Sequence, residues 1–347
     1  MASRARNLDP FSATMAMVAE RRPRLECTAT NRAEWRAWRS AFDAALRENL
    51  GKLPDPVPLD PETTERVDCG DHWRERVVFD TTAWDSVPAY VLVPKDVAAG
   101  EQRPAVLAAH GHGRGKSDMA GSVPEDAEAL RQLNYDYGRG MVERGYVVIA
   151  PDWRGFGERG SPAEWVRSGR DGCNVNYMAY GYFGYHLLTL QVWDGMRALD
   201  YLASRPEVDE DRMGCLGLSF GGTMTTYLAA LDERIKVACI SGYISTVAGD
   251  AITSRGNGNF CGAQYSPGLL DIGDIPDVAC LIAPRPLVAE MGTQDNCFVI
   301  DDALAGYAEV ERLYEAIGEG DKLVNDVFEG GHQFSGAVAY DWFERWL

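Results

Sequence analysis

From about residue 76 the chain alternates short apolar runs with longer stretches of helical spacing, and this constrains its fold more than any other feature. Strands are expected at 89–94, 104–110, 146–151, 213–218, 237–241, 286–291 and 323–328. Helices are expected within 127–144 and over 186–204, 221–231, 302–317 and 340–347. Runs such as YVVIAP and MGCLGL offer no polar face, so their strands must be covered on both sides. Repeated strand–helix–strand units imply an α/β fold: a mostly parallel central sheet with helices on both faces. In such sheets chemistry gathers beyond the carboxyl ends of the strands. The residues to inspect therefore follow positions 110, 151, 218, 291 and 328.

Two stretches break the alternation. Residues 155–185 are rich in Gly and Tyr, and residues 242–285 in Gly, Ser, Asp and Pro. Insertions of that length commonly act as lids or binding walls. Residues 1–75 read as an N-terminal helical arm and linker ahead of a domain at 76–347. A helix is expected over 31–50, stopped by Gly51, and the following KLPDPVPLDPE cannot continue it. Trp35, Trp38 and Phe42 form an aromatic stripe on that helix, suited to packing on the main domain or on a second subunit. The arm is thus a candidate contact for a homo-oligomer, or a cap over a pocket.

The 34 Lys and Arg residues face 52 Asp and Glu, a net charge of −18. Such a surface repels phosphate backbones and anionic headgroups, so no nucleic-acid or membrane partner is expected. No run reaches the roughly 18–20 apolar residues of a membrane span, and residues 11–19 lack the pattern of a signal peptide. The eight cysteines never occur as CxxC, and Cys215 and Cys239 lie inside apolar runs. Reduced thiols and a cytoplasmic location are expected.

After the run MGCLGL stands Gly217-Leu218-Ser219-Phe220-Gly221, followed at once by an amphipathic segment. A G-x-S-x-G sequence between strand and helix forms a nucleophile elbow, a tight turn that lifts the serine hydroxyl above the sheet. Its glycines are required because side chains there would collide across the turn. A serine nucleophile needs a histidine base and a carboxylate to orient that base. Of His72, His110, His112, His186 and His332, only His332 follows Ser219, directly after the last expected strand. In this strand–elbow–helix arrangement the order is serine, acid, histidine. Asp295, following the strand PLVAEMG, is the preferred acid. Asp301 and Asp302 look like residues opening the next helix, and Asp326 falls within a strand.

Acyl transfer also requires N–H donors aimed at the developing oxyanion. The backbone N–H groups of Phe220, after the nucleophile, and of His112, in the loop HGHGRG, are the candidates. His110 and His112 alone are too few to hold a metal, and their Gly-rich loop is a poor mount, so no metal or cofactor is expected. HGHGRGKS fails as a phosphate-binding loop, because His110 occupies the position of the first glycine.

These motifs together resemble the α/β-hydrolase fold and its serine esterases. More narrowly they resemble the branch of acetyl xylan esterases, cephalosporin C deacetylases and dienelactone-hydrolase-like proteins. The resemblance covers roughly residues 76–347. HGHG stands at the family's oxyanion loop, and Asp152-Trp153-Arg154-Gly155-Phe156-Gly157 at its D-x-R-G-x-G loop. The elbow, the Asp295 loop and His332 follow in the family's order. The deacetylases usually carry RGQG and a Glu after the histidine; here stand RGFG and Gln333. The Arg154 loop is expected to tie carboxylates beneath the site rather than to touch substrate. The resemblance implies a serine hydrolase of carboxylic esters, acetyl esters among them; the aromatic stretches favour small to medium acyl groups, and the negative charge favours neutral esters. Tyr177, Tyr180, Tyr182 and Phe260 are candidate pocket walls. A peptidase or amidase of the same fold, and a non-catalytic ligand-binding relative, remain as alternatives.

Overall fold

The computed structural model describes residues 6–123, 127–160, 172–254 and 260–347. Nine strands form one sheet: β1 (Glu62–Asp68), β2 (His72–Thr82), β3 (Asp85–Pro94), β4 (Arg103–Ala109), β5 (Val147–Pro151), β6 (Val208–Leu218), β7 (Ile235–Ser241), β8 (Leu287–Gly292) and β9 (Leu323–Phe328). Their order is β1-β2-β3-β5-β4-β6-β7-β8-β9. The pairs from β5 to β9 are parallel, whereas β1, β2 and β3 join antiparallel.

Alternation along β4 divides the core in two. Ala105, Leu107 and Ala109 join a cluster with Leu187, Val192, Leu228 and Val310. Val106 and Ala108 join another with Tyr137, Met141, Phe334 and Phe343. The central strands β4 and β5 therefore bury both faces, which is why their apolar runs have no polar period. The order reverses at β4, which pairs with the later β5 on one side and β6 on the other. The loops leaving β4 and β6 emerge side by side at that switch point, where such sheets open a crevice.

The seven expected strands and the helices Leu187–Ala203, Phe220–Leu231, Ile300–Ala316 and Ala339–Trp346 are all present. The helix expected within 127–144 is instead two short ones, Ala127–Gln132 and Tyr137–Val142, separated where Asn134 adopts φ 54°. The 75/76 boundary falls inside β2, so the sheet reaches back into the segment read as arm and linker. β1 was missed because it lies at the sheet edge with six of its seven residues exposed, a pattern that reads as polar loop.

After a first helix at Pro10–Glu20, the helix Arg32–Leu50 begins at Asn31, whose side chain accepts the N–H groups of Ala33 and Glu34, and stops at Gly51 with φ 77°. It buries Trp35, Phe42, Leu46 and Leu50 in the same core cluster as β4. Trp38 stacks on Phe42 with centroids 5.1 Å apart, and its indole N–H donates to the Leu25 carbonyl at 2.7 Å. The aromatic stripe thus packs on this chain's own main body. No described helix is long and apolar enough to cross a membrane.

Candidate active site

The elbow is built as its glycines demand. Ser219 sits at φ 64° and ψ −121°, one residue ahead of the helix Phe220–Leu231. A non-glycine residue so placed stores on the order of 1–3 kcal/mol and persists only where its neighbours enforce it. They do: the Ser219 N–H donates to the Ser241 carbonyl at 2.9 Å. A Cβ on Gly221 would meet the Ala109 carbonyl oxygen, and one on Gly217 the Gly221 carbonyl. The serine is pinned above the sheet at the mouth of a helix whose dipole favours negative charge there.

β8 ends in a turn laced to the strand beside it, with the Thr293 N–H on the Phe328 carbonyl at 3.0 Å and the Gln294 N–H on the Gly330 carbonyl at 2.8 Å. Asp295 leaves that turn and points at the loop after β9. Its Oδ2 lies 2.8 Å from Nδ1 of His332, and its Oδ1 accepts the N–H groups of Cys297 at 2.6 Å and Phe298 at 3.1 Å. A carboxylate so satisfied holds the proton on Nδ1 and leaves Nε2 as the basic nitrogen. Phe298 stacks on the imidazole, centroids 5.9 Å apart, and the Tyr135 hydroxyl donates to the His332 carbonyl at 3.0 Å. The competing acids are engaged elsewhere: Asp302 accepts from Ser254 at 2.5 Å and Asp326 from Ser335 at 2.7 Å, while Asp301 lies in the first turn of its helix.

Ser219 and His332 line one cavity of about 540 Å³, whose wall also includes Gly111, His112, Phe260 and Phe298. The loop after β4 packs against the elbow, since a Cβ on Gly111 would come within 3.0 Å of the Leu218 carbonyl oxygen and 3.4 Å of the Ser219 Cβ. The Phe220 N–H opens the helix after the elbow, and its ring is buried against Phe156 with centroids 5.3 Å apart. The described walls carry Asp118 but neither Lys nor Arg.

His110 and His112 do not act as a pair. Nδ1 of His110 donates to the Gly111 carbonyl at 2.7 Å, and its Nε2 accepts the Trp153 N–H at 3.1 Å. Burial pulls its pKa down to about 4, so it stays neutral and braces the loop. His112 instead turns its Nε2 to Cys261, 3.1 Å away, with Cys173 at 3.7 Å. A hydrogen bond from Cys173, joined by one from His112, draws the Cys261 thiol down to about 5 against the opposing effect of burial.

Arg154, in the turn after β5, is fully buried, with its Nε 2.8 Å from Asp194 and a further bond to Asp85. Arg159 completes the cluster at 2.9 Å from Asp194 and 2.6 Å from Asp85. The expected bracing role of this loop fits that geometry.

Of the four aromatic wall candidates, Phe260 lines the cavity and three tyrosines do not. Tyr177 packs edge-on against Tyr265, centroids 5.2 Å apart. Tyr180 faces Arg154 and Trp84, and Tyr182 is 91% exposed. They ride on or just beyond the helix Gly172–Gly181, which offers Asn174 to the cavity instead. Tyr135, Asn174, Gln264 and Phe298 line the wall without having been singled out. They stand on separate loops and helices, and nothing in their spacing links them.

Comparison with known proteins agrees with this fold. The Abhydrolase family profile matches residues 2–312. A provisionally assigned hydrolase of Bacillus subtilis (strain 168), YtaP, is 29% identical over 308 residues, covering 86% of this chain and 96% of its own. A provisionally assigned acetyl xylan esterase from Bacteroides fragilis NCTC 9343 superposes with a TM-score of 0.75 at 19% identity, over 95% of this chain and 84% of its own. A glucuronoyl esterase from Solibacter usitatus gives a TM-score of 0.66 at 17% identity, over 94% and 98%. The profile match spans most of the sequence: the chain belongs to the Abhydrolase family.

Proposed function

We propose that this protein is a serine hydrolase of carboxylic esters working through Ser219, His332 and Asp295. One observation carries the reading: the strained Ser219 shares a cavity with a histidine whose far nitrogen is fixed by a buried, doubly bonded aspartate. Nε2 of His332 takes the hydroxyl proton as Oγ attacks the ester carbonyl. Asp295 stabilises the imidazolium that results. The oxyanion is received by the N–H groups of Phe220 and His112, each worth about 2.7–4 kcal/mol of barrier. His332 then protonates the departing alcohol, and a water activated by the same nitrogen frees the acid.

The substrate reading is small to medium neutral esters, acetyl esters included. A cavity of about 540 Å³ is within the range of small-molecule sites. Its described walls offer Phe260, Phe298 and Met119 to an apolar group and no Lys or Arg to an anion. The carbohydrate esterases among the structural neighbours support an ester over an amide. The human dipeptidyl peptidase 8 match, 26% identical, covers 56% of this chain but only 17% of that enzyme, so it gives the peptidase alternative little support.

Ser219→Ala should abolish labelling by a fluorophosphonate and lower kcat on a nitrophenyl acetate by about 10⁴-fold or more, with His332→Ala close behind. Turnover of matched ester and amide substrates separates esterase from amidase. Labelling that survives Ser219→Ala would remove the assignment of the nucleophile, and the absence of any acylation would favour a ligand-binding protein.

A further inference from the structure

The mechanism uses the backbone of His112 and leaves its side chain unexplained. That imidazole meets two sulfurs. Its Nε2 lies 3.1 Å from Sγ of Cys261 and 3.7 Å from Sγ of Cys173, and the three atoms fall within 4.8 Å of one another. They come from three distant segments: the loop after β4, the first turn of the helix Gly172–Gly181, and the loop at 260–264.

These separations approach the edges of a coordination polyhedron. With Zn–S near 2.3 Å and Zn–N near 2.05 Å, a tetrahedral centre places N and S about 3.6 Å apart and two sulfurs about 3.8 Å apart. The donors are also held from behind. The His112 ring rests against the stacked pair Phe156 and Phe220, with centroids 5.2 and 5.5 Å away. The loop of Cys261 is tied to the helix of Cys173 by the Gly262 N–H, which donates to Asn174 Oδ1 at 2.8 Å. Cys173 itself is buried. Two thiolates and an imidazole select soft or borderline cations over Mg²⁺ and Ca²⁺.

We propose that His112, Cys173 and Cys261 form a site for a thiophilic divalent cation, Zn²⁺ in the first instance, set in the wall of the cavity that holds Ser219. Binding exchanges the two thiol protons for the metal, releases them to solvent and changes no oxidation state. His112 and Cys261 both line the cavity, so the fourth vertex opens towards it for a water molecule. The ion is an inhibitor rather than a cofactor. It occupies space beside the nucleophile and fixes the loop that carries the His112 N–H. This inhibitory role rests on the esterase reading; the binding does not.

Reduced, chelator-treated full-length protein is titrated with Cd²⁺, and the ultraviolet thiolate-to-metal charge-transfer band is followed, a signal that needs no turnover. One equivalent is expected to bind, and Zn²⁺ should displace it. Cys261→Ser and, separately, Cys173→Ala should each weaken binding at least ~100-fold, beyond what loss of a residue supporting the ligands costs. Cys297→Ser, which alters the neighbouring group with Asp295 and His332, should leave the band in place. Absence of a band, a band lost only in Cys297→Ser, or immediate closure of a Cys173–Cys261 disulfide under reducing conditions would overturn the proposal. If the band forms as described but saturating Zn²⁺ leaves nitrophenyl ester hydrolysis unchanged, the site stands and the inhibitory role falls, whereas fluorophosphonate labelling that survives Ser219→Ala removes the esterase reading on which that role rests.

Discussion

Glu290, inside β8, carries a carboxylate almost wholly buried beneath the loop of His332. It accepts the N–H groups of Ser335 at 3.1 Å and Gly336 at 2.8 Å. Burial pushes its pKa up to about 7, against the pull of those donors, so near neutrality it exchanges a proton that a solvated glutamate would already have lost. The folded-state value lies above the unfolded one. The stability this group contributes is therefore complete below about pH 4.5 and is lost as the pH rises through 7. A shift from 4.5 to about 7 corresponds to about 3 kcal/mol. Glu290→Gln should remove that part of the pH dependence. The difference in unfolding free energy between wild type and variant is expected to move by about 3 kcal/mol between pH 4.5 and 8, as read from urea melts. A constant difference across that range would show that folding leaves the Glu290 pKa unshifted.

At the scale of elements, Arg154 and Arg159 join the turn after β5 to the helix Leu187–Ala203 through Asp194, and to β3 through Asp85. Thr81 of β2 adds a hydrogen bond to Asp194 at 2.7 Å. Removing one partner of a buried ion pair strands the other, at about 3–5 kcal/mol. Arg154→Met should therefore lower stability by about 3 kcal/mol, since Arg159 still faces Asp194. Its urea midpoint tests this, and an unchanged midpoint would make Arg159 sufficient alone. How far the elements could be read in advance follows the same physics. β5, β7 and β8 were legible because strands buried on both faces are dominated by apolar residues, with Glu290 the exception inside β8. β1 was not, because a strand at the sheet edge is held by backbone pairing and its side chains carry no signal. The elbow was legible because sterics leave no choice but glycine at Gly217 and Gly221. The cavity wall was not: Asn174 and Gln264 reach it by tertiary contact, and Tyr182, prominent in the sequence, faces solvent.

Across the whole molecule, the loops that bear the site are not independent appendages of the sheet. The Ser219 N–H is anchored on the end of β7, the Gly242 N–H on Glu290 of β8, and the Gln294 N–H on the Gly330 carbonyl beside His332. Each loop is thus tied to the strand or loop next to it. The N-terminal segment is drawn into the same body: the Leu50 carbonyl accepts the Thr189 hydroxyl at 2.5 Å, and Arg32 donates to the Ile317 carbonyl at 2.7 Å. None of the described cavity walls comes from that segment, so its helix supports the fold from behind rather than covering the site. The lacing of β7, β8 and the loop after β9 has a consequence for hydrogen exchange. The amide of Ser219 should exchange only when the parent structure opens globally, alongside those of the central strands, and not through local fraying. Loss of esterase activity in denaturant should then superimpose on the loss of far-ultraviolet dichroism, with no inactive yet folded species between them.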